Sequence, residues 1–327
     1  MAQFNFQDTE VEEFFRKGLL ETSFLTQHGA MLSYWENLSG EEAALLRRML
    51  SSRPPVRKLV LGQISHDTYG IAFDGLEEVP SLREIIFQCI ECEGKDLDIA
   101  GCQVFRSLRS LDLKCVKAGT GFGKDVASYI RQNKSLEELR LAHSCGGDEG
   151  IAAIIDALRA NDTLKKFTLD EMEPLVSFLF SGESIPQLSS EALTGFAEML
   201  ASNSSLELVD VRGAFPVEKD KVSSLLAQER HAGVFKRICI EWPEQLLPEL
   251  TELLRKEACY PKLYVSVSYF VDEGVVRELF DAVAAHKALL KLHFSSTDDD
   301  VNSIFYEHCQ RNSGRHRFRI EAHENTP

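Results

Sequence analysis

Apolar and polar residues alternate in a short frame that returns ten times along the chain. It reads apolar-x-x-apolar-x-apolar in VRKLVLGQI (Val56 to Ile64), LREIIFQCI (Leu82 to Ile90), LRSLDLKCV (Leu108 to Val116), LEELRLAHS (Leu136 to Ser144) and LKKFTLDEM (Leu164 to Met172). It continues in LELVDVRGA (Leu206 to Ala214), FKRICIEWP (Phe235 to Pro243), YPKLYVSVS (Tyr260 to Ser268), LLKLHFSST (Leu289 to Thr297) and the more polar RHRFRIEAH (Arg315 to His323). The fourth positions, from Leu59 to Phe318, are spaced by 25 to 29 residues, except for 42 between Phe167 and Val209. A period of two predicts a short strand at each frame, with the fourth and sixth residues turned inward and the third, fifth and seventh outward. Between frames the period lengthens. Ile151, Ile154, Ile155 and Leu158 recur at helical spacing behind Asp148 and Glu149, and Val275, Leu279 and Val283 repeat the plan. One strand and one helix cannot bury both apolar faces alone, so neighbouring repeats must stack. The expectation is an α/β solenoid of about ten strand-helix repeats, with a parallel inner sheet and helices on the convex side. Helices are wider than strands, so the stack should curve into a horseshoe.

These frames resemble the leucine-rich repeats of the ribonuclease-inhibitor type, the long subclass also found in the repeat arm of NOD-like receptors. The parts of that motif are L-x-x-L-x-L, a D-E-G loop, a helix and N-x-[ST]-L. They run together here as GDEGIAAIIDALRANDTLKKFTL (Gly147 to Leu169), and the last part recurs at Asn133 to Leu136 and Asn203 to Leu206. The resemblance covers about residues 54 to 323. At the ninth frame position, usually Asn or Cys, this chain has Ile64, Ile90, Val116, Ser144 and Met172, so the loop after each strand should be held differently. The resemblance implies ligand sensing or inhibition through a protein docked on the concave sheet.

Residues 1 to 53 lie outside the frame and predict helices, chiefly over Val11 to Leu25 and Glu41 to Leu50. The domain reading is an N-terminal helical cap over 1–53 and a repeat domain over 54–327, because a solenoid's open end needs a cover. The same helices could instead contact a ubiquitin ligase core, making the chain a substrate adaptor. The long interval carries an insertion near 171–190, whose Phe178 and Phe180 either pack on a neighbouring helix or form an apolar partner patch.

Charge narrows the partners. Lys and Arg number 36 against 51 Asp and Glu, a net charge of −15, which argues against nucleic acid or an anionic membrane. It suits a basic protein, including a basic enzyme that this chain would inhibit. Along the third frame position, however, stand Lys58, Glu84, Ser110, Glu138, Lys166, Leu208, Arg237, Lys262, Lys291 and Arg317, so the last four are all basic. Arg319 joins them at the fifth position, and Glu241 and Glu321 offer only partial relief at the seventh. On adjacent strands about 4.8 Å apart, Arg237, Lys262, Lys291, Arg317 and Arg319 form a candidate binding site for an acidic segment of a partner.

Other motifs reduce to packing. AGTGFGKD (Ala118 to Asp125) has the glycines of a phosphate-binding loop, but Ala118 stands where that loop needs Gly and Asp125 where it needs a hydroxyl. Cys89 and Cys92 form a single CxxC, with Cys102 and Cys115 downstream, and the repeat itself accounts for Cys89 and Cys115 at the eighth frame position. Three of the four N-x-[ST] sequons, at Asn133, Asn161 and Asn203, are the repeat's own helix-to-strand turn; the fourth is at Asn37. No catalytic order of Ser, His and Asp and no HExxH is present, so no catalytic residue, metal or cofactor is expected, and no small-molecule ligand. Asp8, Glu10, Glu12 and Glu13 stand where a signal peptide would carry Lys or Arg, and the eight Cys are scattered, so a reducing cytoplasm is the expected compartment. The function these observations favour is a non-enzymatic scaffold that docks a protein partner.

Overall fold

The computed structural model describes residue 9 and residues 30–52, 55–92, 94–114, 116–117, 120–142, 147–170, 189–212, 214, 218–227, 234–256, 262–267, 272–285, 291–296, 299–312 and 317–320. The chain divides into two compact units, Met1–Leu188 with Asn203–Glu207, and Ser189–Ser202 with Leu208–Pro327. Among the described residues no helix is long and apolar enough to cross a membrane.

The first unit contains strands β1 (Ala30–Asn37), β2 (Val56–Ser65), β3 (Glu84–Glu91), β4 (Ser110–Leu113), β5 (Val116–Lys117), β6 (Glu138–Ala142) and β7 (Lys166–Asp170). They pair in parallel in the order β1-β2-β3-β4-β6-β7, with the short β5 beside β3. Helices α1 (Gly40–Ser51), α2 (His66–Phe73), α3 (Phe122–Gln132) and α4 (Gly147–Ala160) alternate with them. This is the α/β arrangement of parallel strands and helices that the two periods predict. The ladder keeps the frame in register: Leu59, Ile85, Leu111, Leu139 and Phe167 are successive partners, as are Leu61, Phe87, Leu113, Leu141 and Leu169. All ten side chains are buried. Tyr69 and Phe73 of α2 meet Phe87 and Phe105 at ring-centroid distances of 5.5 to 6.3 Å, which fixes that helix to the sheet. Ile64, Ile90 and Val116, at the ninth frame position, are buried too, so apolar packing holds this part of the chain.

Two elements depart from the sequence expectation. Residues 30–37, within the segment expected as a helical cap, form β1, a strand parallel to β2 with Leu32 opposite Leu59 and Tyr34 opposite Leu61. Both are buried as the frame's inward residues are. The strand escaped the pattern because Ala30 stands opposite Val56, leaving no bulky opening residue, and the register shifts between Ala30 and Met31. The helix expected at Glu41 to Leu50 is present as α1, started by Ser39, whose hydroxyl accepts from the Glu42 amide while the Glu42 carboxylate accepts from the Ser39 amide. Between β3 and β4 the expected helix is replaced by a loop and a 3-10 turn at Gln103–Phe105. Gly94 sits there at φ 76°, a conformation few side chains accept, and the apolar Leu97 and Ile99 alternate without helical spacing.

The second unit begins with α5 (Glu191–Ser202) and pairs β8 (Leu208–Asp210) in parallel with β9 (Ile238–Cys239). A parallel ladder joins β10 (Glu241–Pro243), β11 (Lys262–Val267), β12 (Lys291–Ser296) and β13 (Arg317–Ile320) in that order. Helices α6 (Lys219–Ala227), α7 (Leu247–Arg255), α8 (Glu273–Ala285) and α9 (Asp299–Asn312) alternate with the strands. Phe280 of α8, Phe294 of β12 and Phe305 of α9 make an aromatic core with centroids 4.9 to 5.3 Å apart, and His308 stacks on Phe280.

Candidate functional site

With the fourth and sixth frame residues of β2, β3, β4, β6 and β7 buried, the third and fifth lie on the other face of that sheet. In the first unit the third positions form the row Met31, Lys58, Glu84, Ser110, Glu138, Lys166, and the fifth positions the row Ser33, Val60, Ile86, Asp112, Arg140, Thr168. Opposite charges on neighbouring strands pair. Lys58 Nζ donates to Glu84 at 2.6 Å, Lys166 Nζ lies 4.0 Å from Glu138 Oε2, and Arg140 Nη1 lies 3.9 Å from Asp112 Oδ2. Lys166, Glu138 and Arg140 remain about half exposed, so these are wet ion pairs of small net energy. Ser33 and Val60, by contrast, are buried. The fifth row is thus closed at Ser33, Val60 and Thr168, and the face is charged and open around Glu138, Arg140 and Lys166.

The second unit carries a different pattern. Lys262, Lys291 and Arg317 are paired positions on three consecutive strands, and Glu241, Tyr264, His293 and Arg319 form the adjoining row on the same face. Buried Val265 and Phe294 mark the opposite face. Four of the five basic residues singled out from sequence therefore come together, with Tyr264 and His293 added by the fifth frame position.

Arg237 does not join them. It lies just before β9, which pairs with β8, and its Nη2 donates to the Leu200 carbonyl in the last turn of α5. Burial lowers its pKa below the usual arginine value. The frame aligns Cys239 with Tyr264, but the ladder pairs Glu241 with Tyr264 and Trp242 with Val265. Trp242 is buried, 5.9 Å from the Phe235 ring, so its large side chain takes the inward place beside Val265 and the register moves two residues on. The same slip moves Glu241 into the row of Tyr264. Phe178 and Phe180 lie outside the described residues.

The remaining motifs are occupied by the fold's own contacts. Gly121, in the glycine-rich turn, donates its amide to the Asp96 carboxylate at 3.1 Å, and a Cβ there would come within 2.7 Å of that carboxylate. Asp125 of the same turn accepts from the amides of Ile99 at 2.6 Å and Ala100 at 3.3 Å, tying α3 to the loop that replaces a helix. These amides face carboxylates of the chain, where a phosphate-binding loop would offer them to an anion. Cys92 and Cys102 are buried, and burial pushes both thiols up to about 11, away from the thiolate that metal binding or exchange requires. Asn133, Asn161 and Asn203 are buried at the turns into their strands: each Oδ1 accepts from the amides two and three residues on, at 2.7 to 3.0 Å. A glycan on any of the three would require opening the core. Comparison with the models of known protein families, and with curated proteins, returned no match.

Proposed function

We propose that the chain is a non-enzymatic scaffold that docks a protein partner on the polar face of its parallel strands, and that its repeats are a leucine-rich-repeat solenoid of the ribonuclease-inhibitor type. The observation that carries this reading is the pair of in-register rows on the first unit's sheet, from Lys58 and Glu84 to Arg140 and Lys166. Six parallel strands at about 4.8 Å spacing present them over a length on the order of 24 Å, the scale of one side of a standard interface of about 800 Å² per partner. Lys166, Glu138 and Arg140 are about half exposed and can exchange partners at little cost, and the opposed charges along the rows give orientation more than adhesion. A cytoplasmic location suits the buried thiols and the sequons used as turns.

The test is affinity capture with two baits, the wild type and a Glu138→Lys/Arg140→Glu variant of this face, read by quantitative mass spectrometry. A docked partner should be recovered about tenfold less with the variant, equivalent to about 1.4 kcal/mol, while a variant on the exposed helix residues Arg131 and Asp156 recovers it unchanged. If every recovered protein is indifferent to the face variant, this reading fails.

A further inference from the structure

We infer that the row Lys262, Lys291, Arg317, with Arg319 in the row beside it, docks an acidic segment of a protein partner; the inference rests on the scaffold reading above. The juxtaposition is set by the backbone ladder. Lys262 pairs with Lys291 and Lys291 with Arg317, while Arg319 lies one row away opposite His293. Strands about 4.8 Å apart and rows roughly 7 Å apart confine four cationic residues to a patch of about 10 by 7 Å. The two rows hold one carboxylate, Glu241, at the β10 end and two strands away from Lys291 and His293.

Two contrasts give this arrangement its meaning. The third frame position of the first unit's sheet sets Lys58 against Glu84 and Lys166 against Glu138, the self-neutralising solution. Like charges at paired positions cost stability, and the second unit carries three in succession. The second contrast is with the whole chain, whose net charge of −15 makes a local cationic patch a place where an acidic segment is steered and held. That background also selects the occupant. A long polyanion such as a nucleic acid would run beyond the patch across an acidic molecule, whereas a short segment with Glu or Asp at alternate positions ends within it. An extended peptide places such side chains on one side every 7 Å or so, commensurate with three cations spread over about 10 Å.

The test uses the full chain and a fluorescein-labelled peptide of about ten residues alternating Glu and Ser, with a Gln-Ser peptide and a short oligothymidylate as comparison probes. The Glu peptide should bind at least about tenfold tighter than the Gln peptide, and tighter than the oligonucleotide. Lys262→Glu/Lys291→Glu should weaken it by at least about tenfold and flatten its salt dependence. Lys262→Gln/Lys291→Gln should weaken it less, and this pair decides if the reversal does not fold. Lys134→Glu/Lys165→Glu, an equal change of charge at exposed positions of the first unit, should leave it unchanged. Equal binding by the row variants, an equal loss in the control pair, or preference for the oligonucleotide overturns the inference. A captured partner sensitive to Glu138→Lys/Arg140→Glu but not to the row variants would leave the scaffold reading standing without it. Row-dependent peptide binding with no face-sensitive partner would do the reverse.

Discussion

The side-chain amide of Asn133 donates to the Phe105 carbonyl at 2.9 Å, reaching back one repeat. The relationship recurs: Asn161 donates to Ile130 at 2.9 Å, and Asn203 to Leu158 at 2.7 Å and to Asn161 at 2.8 Å. Each Asn therefore satisfies the backbone of its own turn through Oδ1 and that of the preceding repeat through Nδ2. A stack of repeats has only nearest-neighbour interfaces, so these buried residues act as clamps between consecutive rungs.

Asn161→Ala should cost about 2 to 6 kcal/mol, because it orphans the Ile130 carbonyl and the Leu164 amide in the core at about 1 to 3 kcal/mol for each group. Asn161→Asp should be no better, since it keeps the acceptor but turns a carboxylate oxygen toward a carbonyl. Urea unfolding of the two variants measures this. A loss under 1 kcal/mol in both would show that the turn is held without its side chain.

Asp125 gives a pH signature. Its carboxyl pKa is raised, first by burial and then by the nearby Asp98 and Asp96, against two backbone amides that favour the charged form. A carboxyl with a folded pKa above its unfolded one binds its proton more tightly in the folded state, so folding is favoured most when it is protonated. Relative to Asp125→Ala, the wild type should therefore hold its largest stability advantage below the ordinary Asp pKa of about 3.9. The advantage should shrink as pH rises through the folded value, and level off above it. Parallel unfolding curves of both proteins across acid to neutral pH test this; an advantage that grows with pH would mean the amide bonds outweigh burial.

Arg237 should behave as a structural residue. Losing its charge-assisted bond to the Leu200 carbonyl at the end of α5 should cost about 1 to 3 kcal/mol in Arg237→Ala. Affinity for the acidic peptide should not change. If instead Arg237→Ala unfolds like the wild type and loses peptide binding, the residue belongs to the docking row after all.

The sequence by itself determined the repeat, the strand at each described frame and the inward face, because alternation in a strand is a local property: whatever pairs with Leu59 or Leu139, its fourth and sixth residues point together. It also determined the Asn turns, since Asn133 and Asn161 bond chiefly within three residues of chain. Tertiary structure decided what depends on pairing. Ala30–Asn37 became a strand because β2 offers it a ladder, although Ala30, in place of a bulky opening residue, keeps its own pattern from announcing it. Glu241 reached the row of Tyr264, and Arg237 left the row of Lys262, because Trp242 takes the buried place beside Val265 and shifts the register by two. Register between strands is set by which side chains fill a shared core and by hydrogen bonds between residues distant in the chain. A frame counted along one strand carries no record of either.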